Sequence, residues 1–194
     1  IFFITITHLN IGSINNDSII IWSKNYHLTV DDFLSENKPK ADTLFYVTHS
    51  DAISSCRIKV QAINKDGIYN YYVLPYFNRN ESWIMKTNRE LLEHEQIHFD
   101  LTELIARKLR REIHNAQINK ISAIDYYSDL INSYLSELVT ANLEFDHKTM
   151  HGAINSLQQE FRNDLDSELK QLEEFSTDKY KFTPALIERM FTND

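Results

Sequence analysis

The spacing of apolar residues changes near residue 80, and this change constrains the fold more than any other feature of the chain. Before it, short runs are rich in β-branched and aromatic residues, and residues 57–62 alternate polar with apolar as a half-buried strand does. After it, apolar residues recur at helical spacing. Only 3 Gly and 3 Pro occur in 194 residues, so few positions can interrupt long helices.

The pattern therefore predicts strands first and helices afterwards. We expect a short helical turn at residues 31–34 and strands at Ser18–Trp22, Thr43–Thr48, Ser54–Ile63 and Ile68–Phe77. The last two strands would form a β-hairpin through the turn at residues 64–67. We expect helices at about 87–115, 122–144, 149–175 and 184–192.

Because strands and helices do not alternate, the sequence predicts an α+β fold rather than a doubly wound sheet. We expect a single domain over residues 1–194, with a small antiparallel sheet from about residues 1–80 and a helical part from about residues 87–194. Residues 1–9 are apolar and are interpreted either as the end of an export signal or as a first strand.

Charge and composition exclude several classes of partner. The net charge is −8, and the basic run at residues 107–111 is expected to end a helix, so we do not expect nucleic-acid binding. No run approaches the roughly 18 apolar residues that a membrane span needs, so no integral span is expected. Cys56 is the single cysteine, which excludes an intramolecular disulfide.

The first predicted helix contains the pattern HExxH within the segment LEHEQIH at residues 92–98, and Thr87 or Asn88 is its expected N-cap. Two histidines four residues apart lie on one helix face and can bind the same metal ion. The glutamate beside the first histidine is placed to take a proton from a water molecule that the metal activates, as in zinc metallopeptidases. We therefore predict that His94 and His98 bind Zn²⁺ and that Glu95 is the general base.

A catalytic zinc site needs a third protein ligand. Residues 145–152 contain Asp146, His147 and His151 at the junction of two predicted helices. We favour His151, because it is expected in the first turn of a helix that starts near Thr149 and is followed by the small residue Gly152. Asp146 and His147 are the alternatives.

Two acidic residues follow the motif on the same predicted helix. Asp100 and Glu103 lie away from the face that carries the histidines, so we expect them beside the ligands or on the surface, with Glu103 kept as a further possible ligand. An oxyanion formed from the substrate needs a donor besides the metal. The spacing selects none of the available residues, which are Tyr126, Tyr127, Tyr180 and Arg162.

Three motifs of this chain resemble those of the bacterial predicted secreted zinc-dependent proteases. Residues 82–107 resemble the pattern SW…LLxHEQxHFDxxExxAR. Residues 22–33 resemble W-S…L-T-W-D-D-F, with Val30 in place of the usual Trp. Residues 145–152 resemble Y-D-x-x-T-x-H-G, with Phe145 in place of Tyr, and the whole resemblance covers most of residues 20–165.

We expect the α+β fold to carry a zincin-like HExxH helix, and the resemblance implies a secreted or envelope-associated bacterial protein with a metallopeptidase-like site. It implies that His94 and His98 bind zinc, that Glu95 is catalytic and that His151 is the best match for the remaining ligand. The function expected is hydrolysis of peptide bonds in a peptide or protein substrate. The alternatives are a non-catalytic envelope binding protein with a structural or vestigial zinc site, and an amidase that acts on cell-wall peptides.

Overall fold

The computed structural model describes residues 18–36, 51–85 and 88–192 and has a small antiparallel sheet in its N-terminal part, followed by helices. The strands are β1 (Ile19–Ile21), β2 (Ala52–Ile53), β3 (Cys56–Lys65), β4 (Ile68–Asn78) and β5 (Trp83–Ile84). The helices are α1 (Arg89–Ile118), α2 (Ile124–Thr149), α3 (Asn155–Gln171) and α4 (Pro184–Thr192). This order confirms the predicted α+β fold class.

The three-stranded sheet has the order β1-β4-β3, and all its pairs are antiparallel. In the β3–β4 hairpin, Cys56 lies opposite Phe77 and Lys65 lies opposite Ile68. Asp66 and Gly67 form a two-residue turn with φ of 55° and 84°, the backbone conformation that Asp-Gly turns favour. The predicted hairpin is therefore confirmed, and the short helical turn expected at residues 31–34 is present at Val30–Asp32. The predicted strand Thr43–Thr48 and residues 1–9 lie outside the described residues.

The long helix α1 packs across the sheet and positions the HExxH pattern. Asn88 is its N-cap, because the Asn88 side chain accepts a hydrogen bond of 2.6 Å from the backbone N–H of Leu91. One face of α1 is apolar and packs on Ile58 of β3 and Val73 of β4. Among the helices of the described residues, none is long and apolar enough to cross a membrane.

The third predicted helix begins later than expected. We predicted a helix over 149–175, but α2 continues to Thr149 and α3 begins only at Asn155. Between them, Met150, His151 and Gly152 have φ of 49°, 52° and 82°, and consecutive left-handed residues cannot continue a right-handed helix. The expectation that His151 lies in a helical turn is therefore wrong, since it lies in the turn between α2 and α3.

Candidate metal centre

Two histidines of α1 and one aspartate of α2 bring three ligand atoms together. Oδ1 of Asp146 lies 3.0 Å from Nε2 of His94 and 3.0 Å from Nε2 of His98. The two Nε2 atoms are 3.2 Å apart. Within the described residues, this is the group of histidine, cysteine and acidic side chains that could hold a metal ion. Both histidines are buried, and the aspartate is partly exposed.

A side-chain amide of α3 fixes the tautomer of His94. The Nδ1–H of His94 donates to Oε1 of Gln158 over 3.2 Å. The amide is held in this orientation because its Nε2 donates to the backbone carbonyl of Glu90 over 3.0 Å. With the proton on Nδ1, the lone pair on Nε2 of neutral His94 faces Asp146.

A second amide, on α2, does the same for His98. The Nδ1–H of His98 donates to Oδ1 of Asn142 over 2.6 Å, and Nδ2 of Asn142 donates to the carbonyl of Leu138 over 2.9 Å. Metal-binding histidines commonly donate their other ring N–H to an oxygen in this way. The sequence carried no signal for Asn142 or Gln158, because they lie 44 and 64 residues beyond the histidines that they orient.

The three converging atoms require a cation between them. Two nitrogen lone pairs and a carboxylate oxygen at 3.0–3.2 Å repel one another unless a proton or a metal ion lies among them. Zinc with bonds of about 2.0–2.1 Å to nitrogen and oxygen in a tetrahedral arrangement places its ligand atoms about 3.3 Å apart. The observed separations are close to that value, so this set of donors fits a zinc ion.

The electrostatics of the group favour a positive charge among the three atoms. Burial opposes protonation of His98, but the hydrogen bond that protonated His98 donates to Asp146 and the charges of Glu95 and Asp146 outweigh it and raise the pKa of His98. Burial alone would raise the pKa of Asp146, yet the hydrogen bonds that its carboxylate accepts from the imidazoles of His94 and His98 hold this pKa well below its usual range. The carboxylate is therefore ionised at neutral pH, as a metal ligand must be.

An aromatic ring packs against both imidazoles and limits their movement. The ring of Phe145 stacks on His94, with centroids 4.5 Å apart, and meets His98 edge to face at 5.0 Å. Phe145 is fully buried. It occupies the position at which the family pattern has Tyr, and here its role is to pack against the two rings.

The catalytic residue expected from the sequence lies beside this group. Glu95 is buried, and its negative charge is close enough to raise the pKa of His98. Glu95 is not a member of the group of ligand atoms. The negative charge of Glu95 also acts on the thiol of Cys56 in β3, and the role of Glu95 as general base stays a prediction.

The other predicted ligands lie at different distances from the centre. His151 is exposed, and its Nδ1 is 3.6 Å from Oδ1 of Asp146. Its backbone N–H donates to the carbonyl of Asp146 over 2.9 Å. His147 is exposed and lies outside the group. The structure therefore brings Asp146, one of the alternatives, directly onto both histidines, and His151 as a ligand stays a prediction.

Glu103 is neither a ligand nor a surface residue. It is fully buried and pairs with Arg107, whose Nε is 2.7 Å from its Oε1. Its two oxygens also accept hydrogen bonds from the backbone N–H and the hydroxyl of Thr177. Because these groups occupy both oxygens of Glu103, it does not serve as the third ligand.

Asp100 connects three parts of the fold around the HExxH segment. Its Oδ1 accepts hydrogen bonds from Trp22 Nε1 at 2.7 Å and Gln96 Nε2 at 2.9 Å, and its Oδ2 accepts one from Arg162 at 2.7 Å. The amide oxygen of Gln96 in turn accepts the backbone N–H of Leu28. Gln96 and Asp100 of the segment HEQIHFD thus fix α1 against the N-terminal loop and α3.

Three of the possible oxyanion donors are engaged elsewhere. The hydroxyl of Tyr127 donates to the carbonyl of Ile121, and the ring of Tyr180 lies 4.9 Å from the guanidinium of Arg110. Arg162 binds Asp100, Glu93 and Asp166. None of these contacts directs the side chain towards the three ligand atoms, so the donor is not selected by the structure either.

Gly152 packs against the centre, and we expect Gly152→Ala to weaken zinc binding. A Cβ at this position would lie 3.3 Å from Cγ and Nδ1 of His94 and 3.3 Å from Oε1 of Gln158. Nδ1 of His94 and Oε1 of Gln158 form the hydrogen bond that orients His94. Because 3.3 Å is too close for a Cβ, both side chains must shift. Loss of a partner that orients a ligand typically costs about 10–100-fold in metal affinity. Competition with a zinc-binding dye measures the change.

Gly67→Ala is the matched control for this substitution. Gly67 has φ of 84°, close to the 82° of Gly152, but a Cβ there would meet nothing within 4 Å. Both variants therefore introduce the same backbone strain of about 1 kcal/mol, and only one of them touches the centre. Equal zinc affinity in the two variants would contradict the prediction.

Comparisons of the chain with models of protein families, with curated proteins and with solved structures gave no match. The resemblance to the bacterial zinc-dependent proteases accordingly stays a prediction from sequence motifs.

Proposed function

We propose that this protein is a zinc-dependent metallopeptidase whose metal ion is held by His94, His98 and Asp146. The observation that carries the proposal is the convergence of two Nε2 atoms and one carboxylate oxygen within 3.2 Å, with both tautomers fixed by amide oxygens. Three protein ligands leave a fourth position of a tetrahedral ion open for water or substrate, which distinguishes catalytic from structural zinc sites.

Each residue of the centre has a separate role in this proposal. A bound zinc ion lowers the pKa of water towards neutrality and polarises the carbonyl of the substrate. Glu95 accepts the proton of the attacking water and delivers it to the leaving amine. Gln158 and Asn142 hold the two imidazoles in the tautomer that presents Nε2 to the metal.

The resemblance to secreted bacterial proteases adds two elements to the proposal. It supports a location in the cell envelope or outside the cell, and it supports a peptide or protein as the substrate. Cell-wall peptides are included in that class, since an amidase of this kind would use the same residues.

The second candidate function is binding without catalysis, with zinc in a structural role. It is favoured by His151, whose Nδ1 lies only 3.6 Å from Oδ1 of Asp146 and therefore close to the centre. If His151 coordinated the ion as well, four protein ligands would close the site. The number of protein ligands therefore separates the two functions.

Elemental analysis of three proteins tests the proposal. We expect about one zinc ion per native chain after loading, loss of the ion in Asp146→Ala and retention in His151→Ala. Retention follows because His151 lies outside the group of converging atoms. Loss of zinc in His151→Ala together with Asp146→Ala would indicate a closed structural site. No zinc in the loaded native protein would overturn both functions.

A further inference from the structure

The turn between α2 and α3 holds His151 beside the candidate metal centre. The backbone N–H of His151 donates to the carbonyl of Asp146 over 2.9 Å. Both Met150 and His151 have left-handed φ values, of 49° and 52°, which residues other than glycine adopt only at a cost in free energy. Residues held in such conformations cluster at active sites, so the backbone of His151 indicates a function for its side chain.

The same turn packs against one of the two histidines of the centre. A Cβ at Gly152 would lie only 3.3 Å from Cγ and Nδ1 of His94. The end of α2 fixes the turn, because Thr149 accepts hydrogen bonds from the N–H of Gly152 through its hydroxyl and from the N–H of Ile154 through its carbonyl. The backbone on both sides of the His151 side chain is therefore held in place next to the centre.

The imidazole of His151 lies near the ligand atoms without joining them. Its Nδ1 is 3.6 Å from Oδ1 of Asp146, and the side chain is 44% exposed. A fourth ligand of a tetrahedral zinc ion would lie about 3.3 Å from each of the other three ligand atoms. His151 is outside the group of ligand atoms that lie within 4.8 Å of one another. The imidazole is therefore placed to contact a molecule bound at the centre.

We propose that His151 is a catalytic residue that donates a hydrogen bond to the oxyanion formed from the substrate carbonyl. This inference rests on the proposed function. When water attacks the carbonyl carbon, a C–O bond forms, the proton of the water passes to Glu95 and the π electrons of the carbonyl collect on its oxygen. The N–H of His151 stabilises that charge without transferring its proton. The C=O bond then reforms as the C–N bond breaks, and Glu95 delivers its proton to the leaving amine.

An imidazole suits this role in either protonation state. The neutral ring carries one N–H and the imidazolium carries two, so His151 is always a donor. The donors considered from the sequence are less well placed. Tyr126 lies about 30 Å along α2 from Asp146, and Tyr127 is one residue further along the chain. The guanidinium of Arg162 already binds three acidic side chains.

Binding of a phosphinic peptide measures the contact without relying on turnover. In this probe a phosphinic group replaces the cleaved amide of a peptide that the native protein hydrolyses, and it carries the charge and the tetrahedral shape of the oxyanion. We expect His151→Ala to keep about one zinc ion per chain and to bind the probe about 10–100-fold more weakly, the usual effect of losing a hydrogen bond to a charged group. We expect kcat to fall by a similar factor with KM nearly unchanged, because the bond forms only with the charged oxygen.

His151→Asn and Met150→Ala are the matched controls. Asparagine can place an N–H donor at the position of Nδ1 and tolerates a left-handed φ, so it should restore most of the affinity for the probe. Met150 has nearly the same φ and is 63% exposed, but it carries no donor, so Met150→Ala should leave the affinity unchanged. Equal losses in His151→Ala and Met150→Ala, or in His151→Ala and His151→Asn, would overturn the inference.

The two proposals fail in different ways. A native protein that holds zinc and cleaves peptides through Glu95, but whose His151→Ala variant binds the probe as tightly as the native protein does, would overturn only the role of His151. Loss of zinc in His151→Ala would make His151 a ligand and would also overturn its role as a donor. A native protein that holds no zinc and cleaves nothing would overturn the proposed function itself.

Discussion

Glu95→Gln is expected to retain about one zinc ion per chain and to lose peptide hydrolysis by about 10²–10⁴-fold, the usual contribution of a general acid–base residue. Glutamine has nearly the shape of glutamate, so the buried position should still be filled without strain. Its amide cannot accept the proton of the attacking water, because only the carboxylate can act as a base. Elemental analysis and cleavage of a peptide library measure the two properties on the same preparation.

Glu93→Gln is the control for this experiment. Glu93 lies two residues before Glu95, but its carboxylate pairs with Arg162 over 3.1 Å instead of approaching the ligand atoms. The pair is partly exposed, so its loss should cost no more than about 1 kcal/mol of stability and leave hydrolysis nearly unchanged. Equal losses of activity in the two variants would contradict the role of Glu95, and loss of zinc in Glu95→Gln would make it a ligand.

Glu103→Gln is expected to lower the free energy of unfolding by about 3–5 kcal/mol, the cost of breaking a buried ion pair by removing one partner. Glu103 is fully buried between Arg107 at 2.7 Å and Arg110 at 3.5 Å. The substitution keeps the volume but leaves both guanidinium groups in the interior without an opposing buried charge. Urea unfolding measures the loss. The dependence of the free energy of unfolding on urea concentration should be the same in the native protein and the variant.

Glu173→Gln is the matched control, because Glu173 pairs with the same Arg107, at 3.2 Å, from a 43% exposed position. Solvent screens this second pair, so we expect a loss of at most about 1 kcal/mol. A similar small loss in Glu103→Gln would contradict the assignment of Glu103 as a buried structural residue. If Glu103 were a metal ligand instead, its variant would lose zinc at low denaturant, whereas we expect it to keep the ion.

The buried cluster around Glu103 also explains the part of the motif that follows the histidines. The guanidinium of Arg107 donates to the carbonyl of Leu169 and to the hydroxyl of Ser176, and that of Arg110 donates to the carbonyl of Phe175. These bonds fix the end of α3 and the segment after it against α1. Glu103, Arg107 and Arg110 therefore stabilise the fold. His94 and His98, which precede them on α1, belong to the candidate metal centre.

The sequence by itself determined the features that depend on neighbouring residues. The 3.6-residue period predicted α1. The four-residue spacing within it placed His94 and His98 on one face, and in the structure their Nε2 atoms are 3.2 Å apart. The Asp-Gly turn predicted the β3–β4 hairpin, because its left-handed conformations are set by those two residues alone. The order of strands and helices was enough for the α+β class.

Only the tertiary structure decided which residues meet those of α1. Asp146 lies within the last turn of α2 and contacts the two Nε2 atoms, whereas His151 lies in the left-handed turn that follows the helix. Gln158 reaches His94 across 64 residues, and Glu103 reaches Thr177 across 74. Contacts between distant segments depend on where helices end and how they pack, and local periodicity carries no information on either.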